Sequence, residues 1–277
     1  MTPPTRIAAT FAALKARGQM AFMPFVTAGD PDMATSLVII RELASRRVDL
    51  IEVGFPYSDP IADGPVIQTS YTRALSRGLH VADIFNGIQQ LTSKAAGSVL
   101  PPLVAMVSYA IVFRMGAATF VQRAKEAGFA GLIIPDLPAD EADEVARMIR
   151  SNGLDAIQLV APTTTPDRED RIVRTASGFV YCISIAGTTG ARDSLPIELS
   201  GQLQRLRSKT DLPLAVGFGV SRPEQVDGLR RLADGVIVGS AMVRKLERLS
   251  TCSAATDDVL REIGEFAAAM VAATKSK

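Results

Sequence analysis

Glu52 is a lone carboxylate in a short apolar segment, residues 50–54 of the 277-residue chain. In a strand, alternate side chains point to opposite faces, so Leu50 and Glu52 share one face. Ile51 and Val53 share the other face and can pack under helices, which leaves Glu52 at the mouth of a barrel. A carboxyl group among apolar neighbours has a raised pKa, which suits a general acid or base. The alternative is a structural glutamate paired with an arginine at the rim, and the spacing does not decide between them.

Two more acids, Asp59 and Asp63, follow in the segment GFPYSDPIADGP (54–65). Three prolines punctuate this segment and predict a rigid, turn-rich loop. Such a loop could carry a carboxylate over a bound substrate. The alternative is an ordinary surface loop with capping aspartates, and for Asp59 the residues themselves favour that interpretation.

Glycines cluster after three late apolar runs, at residues 187–190, 217–219 and 239–240. Barrels often bind phosphate with the loops after their seventh and eighth strands, at a helix N-terminus. Glycine lets backbone N–H groups approach the anion closely. Each glycine pair is weak evidence, but three at neighbouring strand ends favour phosphate binding over tight turns without a ligand.

Other kinds of active site lack the residues they need. The single histidine, His80, lies at a predicted helix start, which excludes a histidine-based metal site. An aldolase that forms a Schiff base needs a lysine at a strand end. None of the seven lysines lies at such a position: Lys15, Lys94, Lys125, Lys209, Lys245, Lys275 and Lys277. Any carbon–carbon cleavage would therefore depend on carboxylates.

The elements that must position these residues alternate along the chain. Eight short apolar runs are separated by helical patterns, which predicts parallel βαβ units and a closed (βα)8 TIM barrel, an α/β fold. The turn after the first run, TAGDP (27–31), lacks the glycine pattern of the alternative, an open doubly wound sheet. The predicted strands are 21–26, 48–53, 103–107, 131–135, 156–160, 179–184, 214–217 and 235–238.

Three helices fall outside this repeat: an N-terminal helix at about 3–17, one near 81–91 and a C-terminal helix from about 257. No linker divides the chain, so we expect one domain over residues 1–277. Asp30 is predicted to cap a helix with Pro31 at its first position. Ser221 is predicted to open another helix. Gly128 and Gly153 are predicted to end helices.

Composition bounds the partners and the compartment. With 30 basic and 29 acidic residues and no basic tract, no nucleic-acid partner is expected. No run of about 18 apolar residues occurs, so no membrane span is expected. The two cysteines, Cys182 and Cys252, form no disulfide framework, which favours a reducing cytoplasm.

Six segments are similar to motifs of tryptophan synthase alpha subunits and run from the first strand to the last in family order. The most specific is the loop segment IEVGFPYSDPIADGP (51–65). The others are PFVTAGDP (24–31), PDLP (135–138), GTTGAR (187–192), VGFGVS (216–221) and VGSAMV (238–243).

This resemblance implies a role for nine residues. Glu52 matches the acid–base carboxylate and Asp63 the carboxylate that accepts the indole N–H. Thr189 matches a closing-loop threonine that contacts the Asp63 position. The remaining matches are Tyr181 beside the substrate, Phe218 at the indole pocket, and Gly190, Gly219, Gly239 and Ser240 at the phosphate.

The resemblance also implies the reaction, a retro-aldol cleavage of indole-3-glycerol phosphate to indole and glyceraldehyde 3-phosphate. It implies a beta-subunit partner that holds pyridoxal phosphate, an alpha2beta2 heterotetramer, and no cofactor in this chain. Two positions depart from the family: Ile111 stands where asparagine is common, and Thr188 where valine is commoner. The first bears on subunit contacts and the second on loop closure.

Two rivals stay open. One is another phosphate-binding barrel enzyme, such as an isomerase or indole-glycerol-phosphate synthase, although these typically use a strand-end lysine or a metal with histidine. The other is a catalytically silent barrel that only activates a partner. The presence of Glu52 and Asp63 argues against a silent barrel without proving turnover.

Overall fold

Eight parallel strands close into a barrel in chain order, which confirms the predicted (βα)8 fold. The structure is a computed structural model that describes residues 3–60, 63–94, 100–183, 197–217, 219–251 and 256–276. The strands are β1 (Ala21–Thr27), β2 (Ile51–Gly54), β3 (Leu103–Met106), β4 (Gly131–Ile133), β5 (Asp155–Val160), β6 (Val180–Ile183), β7 (Leu214–Gly217) and β8 (Gly235–Val238).

Helices alternate with these strands and surround them. In the described part of the chain, none of them is long and apolar enough to cross a membrane. The helices are α1 (Arg6–Lys15), α2 (Met33–Ser45), α3 (Pro65–Ser76), α4 (Val81–Lys94), α5 (Tyr109–Met115), α6 (Ala117–Ala127), α7 (Ala142–Ser151), α8 (Pro166–Thr175), α9 (Ile197–Arg207), α10 (Ser240–Thr251) and α11 (Thr256–Lys275). The three helices predicted outside the repeat are α1, α4 and α11.

The inside of the barrel is a packed core, closed at its amino-terminal end by α1. Ile7, Phe11 and Leu14 of this helix join the inward-facing strand residues in one buried cluster. Leu50 of that cluster lies below Glu52, whereas Ile51 and Val53 belong to the outer core between strands and helices. The predicted alternation in β2 is therefore confirmed, and apolar packing at the bottom leaves polar residues to the upper end.

The two predicted helix ends are confirmed, and the two predicted helix starts are corrected. Gly128 and Gly153 follow α6 and α7 with φ of +92° and +80°, a conformation that glycine adopts readily. The helix predicted to open at Ser221 is a 3₁₀ helix over Pro223–Leu229, and its N-cap residue is Arg222 instead of Ser221. The cap predicted at Asp30 is wrong. Asp32 caps α2 instead.

A buried network explains why Asp30 does not cap the helix. Its carboxylate accepts a hydrogen bond from the Ser70 hydroxyl at 2.5 Å and a salt bridge from Arg73 at 2.7 Å. The Ser250 hydroxyl also donates to it, at 2.9 Å. These partners satisfy the carboxylate, while the exposed Asp32 accepts the Thr35 N–H at 2.8 Å and starts the helix.

Candidate active site

A cavity of about 440 Å³ opens at the carboxyl ends of the strands, where barrel enzymes carry their active sites. Six of the nine predicted site residues line it: Glu52, Asp63, Tyr181, Gly219, Gly239 and Ser240. Much of the remaining wall is apolar and includes Phe25, Ile67, Met106, Leu159 and Ile237. The other three predicted residues, Thr189, Gly190 and Phe218, lie outside the described residues.

Glu52 projects into this cavity from β2, between Phe25 of β1 and Val104 of β3 in the sheet register. Only 3% of its surface is exposed. Its Oε1 atom has no hydrogen-bond partner, and it forms no ion pair with any residue that the structure describes. The alternative of an arginine-paired structural glutamate therefore does not hold in the described part of the chain.

Burial without a cation makes the charged form of Glu52 unfavourable. Loss of water around the carboxyl group, and then the nearby charge of Asp63, raise the pKa of Glu52 to about 8 from the usual 4.5. Glu52 therefore holds its proton at neutral pH. A protonated carboxylic acid facing a cavity is suited to donate a proton to a substrate.

Asp63 reaches the cavity from the loop between β2 and α3. The Tyr57 hydroxyl donates to its Oδ2 atom across 3.2 Å. Burial raises the pKa of Asp63 to about 6, the bond from Tyr57 opposes that rise, and the charge of Asp136 adds to it. Between about pH 6 and pH 8 Asp63 is therefore mostly ionised while Glu52 is mostly protonated, so the two carboxyl groups of this cavity hold opposite forms.

The loop that carries Asp63 is tied to α3 by one side chain. The Gln68 amide donates to the Asp63 carbonyl at 2.8 Å and to the Pro60 carbonyl at 3.1 Å. The Asp63 N–H donates to the same Pro60 carbonyl at 3.0 Å. Pro65 begins α3 directly after this turn, so the position of Asp63 is coupled to the start of the helix.

Tyr181 stands on β6 opposite these acids, and its ring needs the space beside Gly217 on β7. A Cβ atom at Gly217 would lie 2.8 Å from both the Cε2 and the hydroxyl of Tyr181, closer than real Cβ contacts. Burial, and the charges of Glu52 and Asp63, raise the pKa of Tyr181, so its hydroxyl stays protonated. Glycine at position 217 therefore leaves space for the Tyr181 ring in the cavity wall.

The third side of the cavity is formed by backbone at the ends of β7 and β8. Gly219 has a φ of +83°, and a Cβ atom there would meet nothing, so conformation rather than crowding favours glycine. Gly239 leads into α10, which begins at Ser240. The N–H groups and positive dipole end of this 12-residue helix face the cavity and suit an anion.

Three residues contribute to the site although the sequence does not predict their roles. They are Tyr57, Gln68 and Gly217. Tyr57 lies inside segment 54–65, but its residue type and position do not show that its hydroxyl bonds Asp63. Gln68 lies five residues after Asp63, and no pattern in the sequence shows that its amide turns back to the loop. Gly217 stands out in the sequence only as a member of the glycine cluster at 217–219.

Comparison with known proteins leads to one family. The model of the family "Tryptophan synthase alpha chain" matches residues 11–274. The tryptophan synthase alpha chain of Rhodopirellula baltica is 45% identical over 246 residues, which cover 89% of this chain and 87% of that protein. That of Gloeobacter violaceus is 43% identical over 267 residues, which cover 96% of this chain and 94% of the relative.

Solved structures lead to the same family. Tryptophan synthase subunit alpha from Legionella pneumophila is 34% identical, with a TM-score of 0.86 over 98% of this chain and 99% of the other. A chain of Mycobacterium tuberculosis tryptophan synthase is 32% identical, with a TM-score of 0.86 over 99% of this chain and 100% of the other. The family match over nearly the whole chain, joined to this identity and coverage, shows that the chain belongs to the tryptophan synthase alpha chain family.

Proposed function

We propose that Glu52 and Asp63 together carry out the retro-aldol cleavage of indole-3-glycerol phosphate in this protein. As a tryptophan synthase alpha chain, the protein is a carbon–carbon lyase of tryptophan biosynthesis. The observation that carries the assignment of residues is the buried, unpartnered Glu52 carboxyl group in a cavity shared with Asp63. Their different pKa values supply one proton donor and one anion in the same site.

Glu52 acts first as an acid. It donates its proton to C3 of the indole ring, and positive charge develops at the indole nitrogen. Glu52 is left as a carboxylate, which then takes the proton of the glycerol 3′-hydroxyl as the carbon–carbon bond breaks. The electrons of that bond return to the ring, indole and glyceraldehyde 3-phosphate leave, and the proton that Glu52 gave is restored.

Asp63 stabilises the charge that the ring acquires. As a carboxylate it accepts a hydrogen bond from the indole N–H, and this bond strengthens when the nitrogen becomes positive. An interaction that is stronger in the transition state than in the ground state accelerates the reaction. The half-buried position of Asp63 strengthens the effect because little water competes with the ring.

The opposite wall holds the rest of the substrate. Backbone N–H groups at Gly219, Gly239 and Ser240 bind the phosphate, and Gly190 is expected to join them. The ring of Tyr181 lies beside the substrate, supported by its position in the cavity wall, and Phe218 is expected at the indole end. Thr189 is expected to close over Asp63. No cofactor enters the chemistry of this chain in our proposal.

The proposed partner is a tryptophan synthase beta subunit that carries pyridoxal phosphate, in an alpha2beta2 assembly. Two exposed groups, on the segments that follow β2 and β3, support a docking face. Asp59 is exposed on the loop that carries Asp63, and Phe113 on α5 is 69% exposed, which is unusual for a large apolar ring. We place the enzyme in the cytoplasm, which suits the free cysteine at position 182.

Indole release from indole-3-glycerol phosphate, measured with and without beta subunit, tests the proposal. Glu52→Gln and Asp63→Asn are each expected to lose at least about 10²-fold in rate, because acid–base catalysis contributes about 10²–10⁴-fold. Binding of glyceraldehyde 3-phosphate should persist in both. Glu265→Gln, an exposed substitution on α11, is the matched control. A parent protein that activates the beta subunit but releases no indole would instead be the silent barrel.

A further inference from the structure

The carboxylate of Asp63 has one side-chain partner among the described residues, the hydroxyl of Tyr57. The bond joins the phenol oxygen to Oδ2 and leaves Oδ1 without a bond from a described side chain. Burial and the charges of Asp63 and Asp136 raise the pKa of Tyr57, so the phenol keeps its proton and acts as a donor. The two carboxylate oxygens therefore have different surroundings: one is held by the protein, and one is available to a substrate N–H.

The ring of Tyr57 is held in place by apolar packing. It lies against the ring of Tyr71, with centroids 5.5 Å apart and an interplanar angle of 54°. Tyr71 is 1% exposed and belongs to a small buried cluster with Phe25, Ile67 and Val243. Because the Tyr57 ring packs on the buried Tyr71 ring, its hydroxyl is held in one position, which lowers the entropic cost of the bond to Asp63.

Gln68 fixes the main chain around Asp63, but it does not touch the carboxylate. Its amide donates to the carbonyls of Asp63 and Pro60. Two different side chains therefore hold two different parts of the same residue, one the backbone and one the charged group. A change at Tyr57 should consequently alter the charged group without unfolding the turn.

The surroundings of Asp63 otherwise oppose its ionisation. Glu52 faces it from β2, and Tyr71 and Tyr181 face it from α3 and β6 without contributing positive charge. Asp136, which follows β4, adds negative charge. Among the described residues, no cation near Asp63 offsets the negative charge and burial that raise its pKa. The Tyr57 phenol is therefore the described side chain that favours the carboxylate form of Asp63.

We propose that Tyr57 is a positioning residue that keeps the Asp63 carboxylate ionised and turned so that its free oxygen meets the indole N–H. This role rests on the proposed function of Asp63. It gives a role to the Tyr57 hydroxyl in a cluster whose members pack mainly through apolar contacts.

The test is Tyr57→Phe, which removes one oxygen and keeps the ring against Tyr71. Tyr109→Phe is the matched control, because it removes a hydroxyl from α5 outside the cavity lining. The measurement is kcat/KM for indole release from indole-3-glycerol phosphate between pH 5.5 and 8.5. Circular dichroism checks that each variant keeps its fold.

In Tyr57→Phe the acid limb of the kcat/KM profile should move up by about one pH unit. This shift is expected because a hydrogen bond to a charged group contributes about 1.4 kcal/mol. That shift corresponds to a loss of about fivefold at pH 6 and less than about twofold at pH 7.5. The control should keep the parent profile. A limb that stays in place, a loss equal at every pH, or the same shift in the control would overturn the role of Tyr57.

Asp63→Asn separates this inference from the proposed function. If the parent's acid limb survives in that variant with full activity, Asp63 is not the titrating group, and the proposed function fails at this residue. If the limb disappears in Asp63→Asn but Tyr57→Phe does not shift it, the role of Asp63 stands and only that of Tyr57 is lost.

Discussion

Replacing Glu52 by glutamine is expected to make the folded protein more stable at alkaline pH while removing the acid that the reaction needs. The pKa of Glu52 is about 8 in the folded chain and near 4.5 when exposed. Below pH 4.5 both states are protonated and burial carries no ionisation penalty. Between those values the unfolded chain loses its proton first, so stability falls as pH rises, by up to about 5 kcal/mol above pH 8.

Glutamine keeps the size of the protonated acid but cannot ionise, so it escapes this penalty. Its buried amide N–H groups would lack partners at a cost of about 1–3 kcal/mol, which leaves a net gain of about 2–4 kcal/mol above pH 8. The gain should shrink by about 1.4 kcal/mol for each pH unit below 8.

Urea unfolding of the parent and of Glu52→Gln, followed by circular dichroism at half-unit steps from pH 5.5 to 8.5, measures this difference directly. The exposed substitution Glu265→Gln should show no such slope. If the stability difference between parent and Glu52→Gln stayed constant across this range, Glu52 would not be held protonated by its surroundings, and its assignment as an acid would lose its physical basis.

Three further outcomes are expected. Gly217→Ala should displace the Tyr181 ring, because the new Cβ would lie 2.8 Å from it, at an overpacking cost of about 1–3 kcal/mol. We expect kcat/KM to fall about tenfold. An unchanged rate would mean that Tyr181 does not contact the substrate. Gly239→Asp should weaken the binding of glyceraldehyde 3-phosphate, measured by calorimetry, at least about tenfold. Gly239→Ala should not weaken it, because the nearest atom to the new Cβ would be 3.9 Å away. Equal affinities of the two variants would mean that the phosphate binds elsewhere. Asp59→Ala should raise the beta-subunit concentration needed for half-maximal activation, and an identical titration curve would exclude Asp59 from the interface.

The barrel itself could be predicted because its signals are local and repeated. Each strand is a short apolar run, and alternation within 50–54 placed Glu52 on the inner face before any contact was known. Strand ends were less certain. β2 was predicted from Val48 but begins at Ile51, because the Asp49 side chain takes the Phe22 N–H at 2.8 Å in place of a regular ladder bond.

The features that the sequence could not predict depend on which side chains the folded chain brings together. Asp30 and Asp32 are both suitable helix caps by residue type. The choice between them is made by Arg73, 43 residues from Asp30, which binds the first and leaves the second free. The bond from Tyr57 to Asp63 spans only six residues, but it depends on how the loop folds back on itself, which neither residue type nor spacing specifies.

The pH dependence of kcat/KM for indole-3-glycerol phosphate cleavage tests the central claim most directly, because it reports the groups of the free enzyme whose protonation matters. With Asp63 needed ionised and Glu52 needed protonated, the rate constant should rise through about pH 6 and fall through about pH 8. Glu52→Gln should lose most activity at every pH. A flat profile from pH 5.5 to 8.5, or an alkaline limb that persists in an active Glu52→Gln variant, would contradict the assignment of the two carboxyl groups.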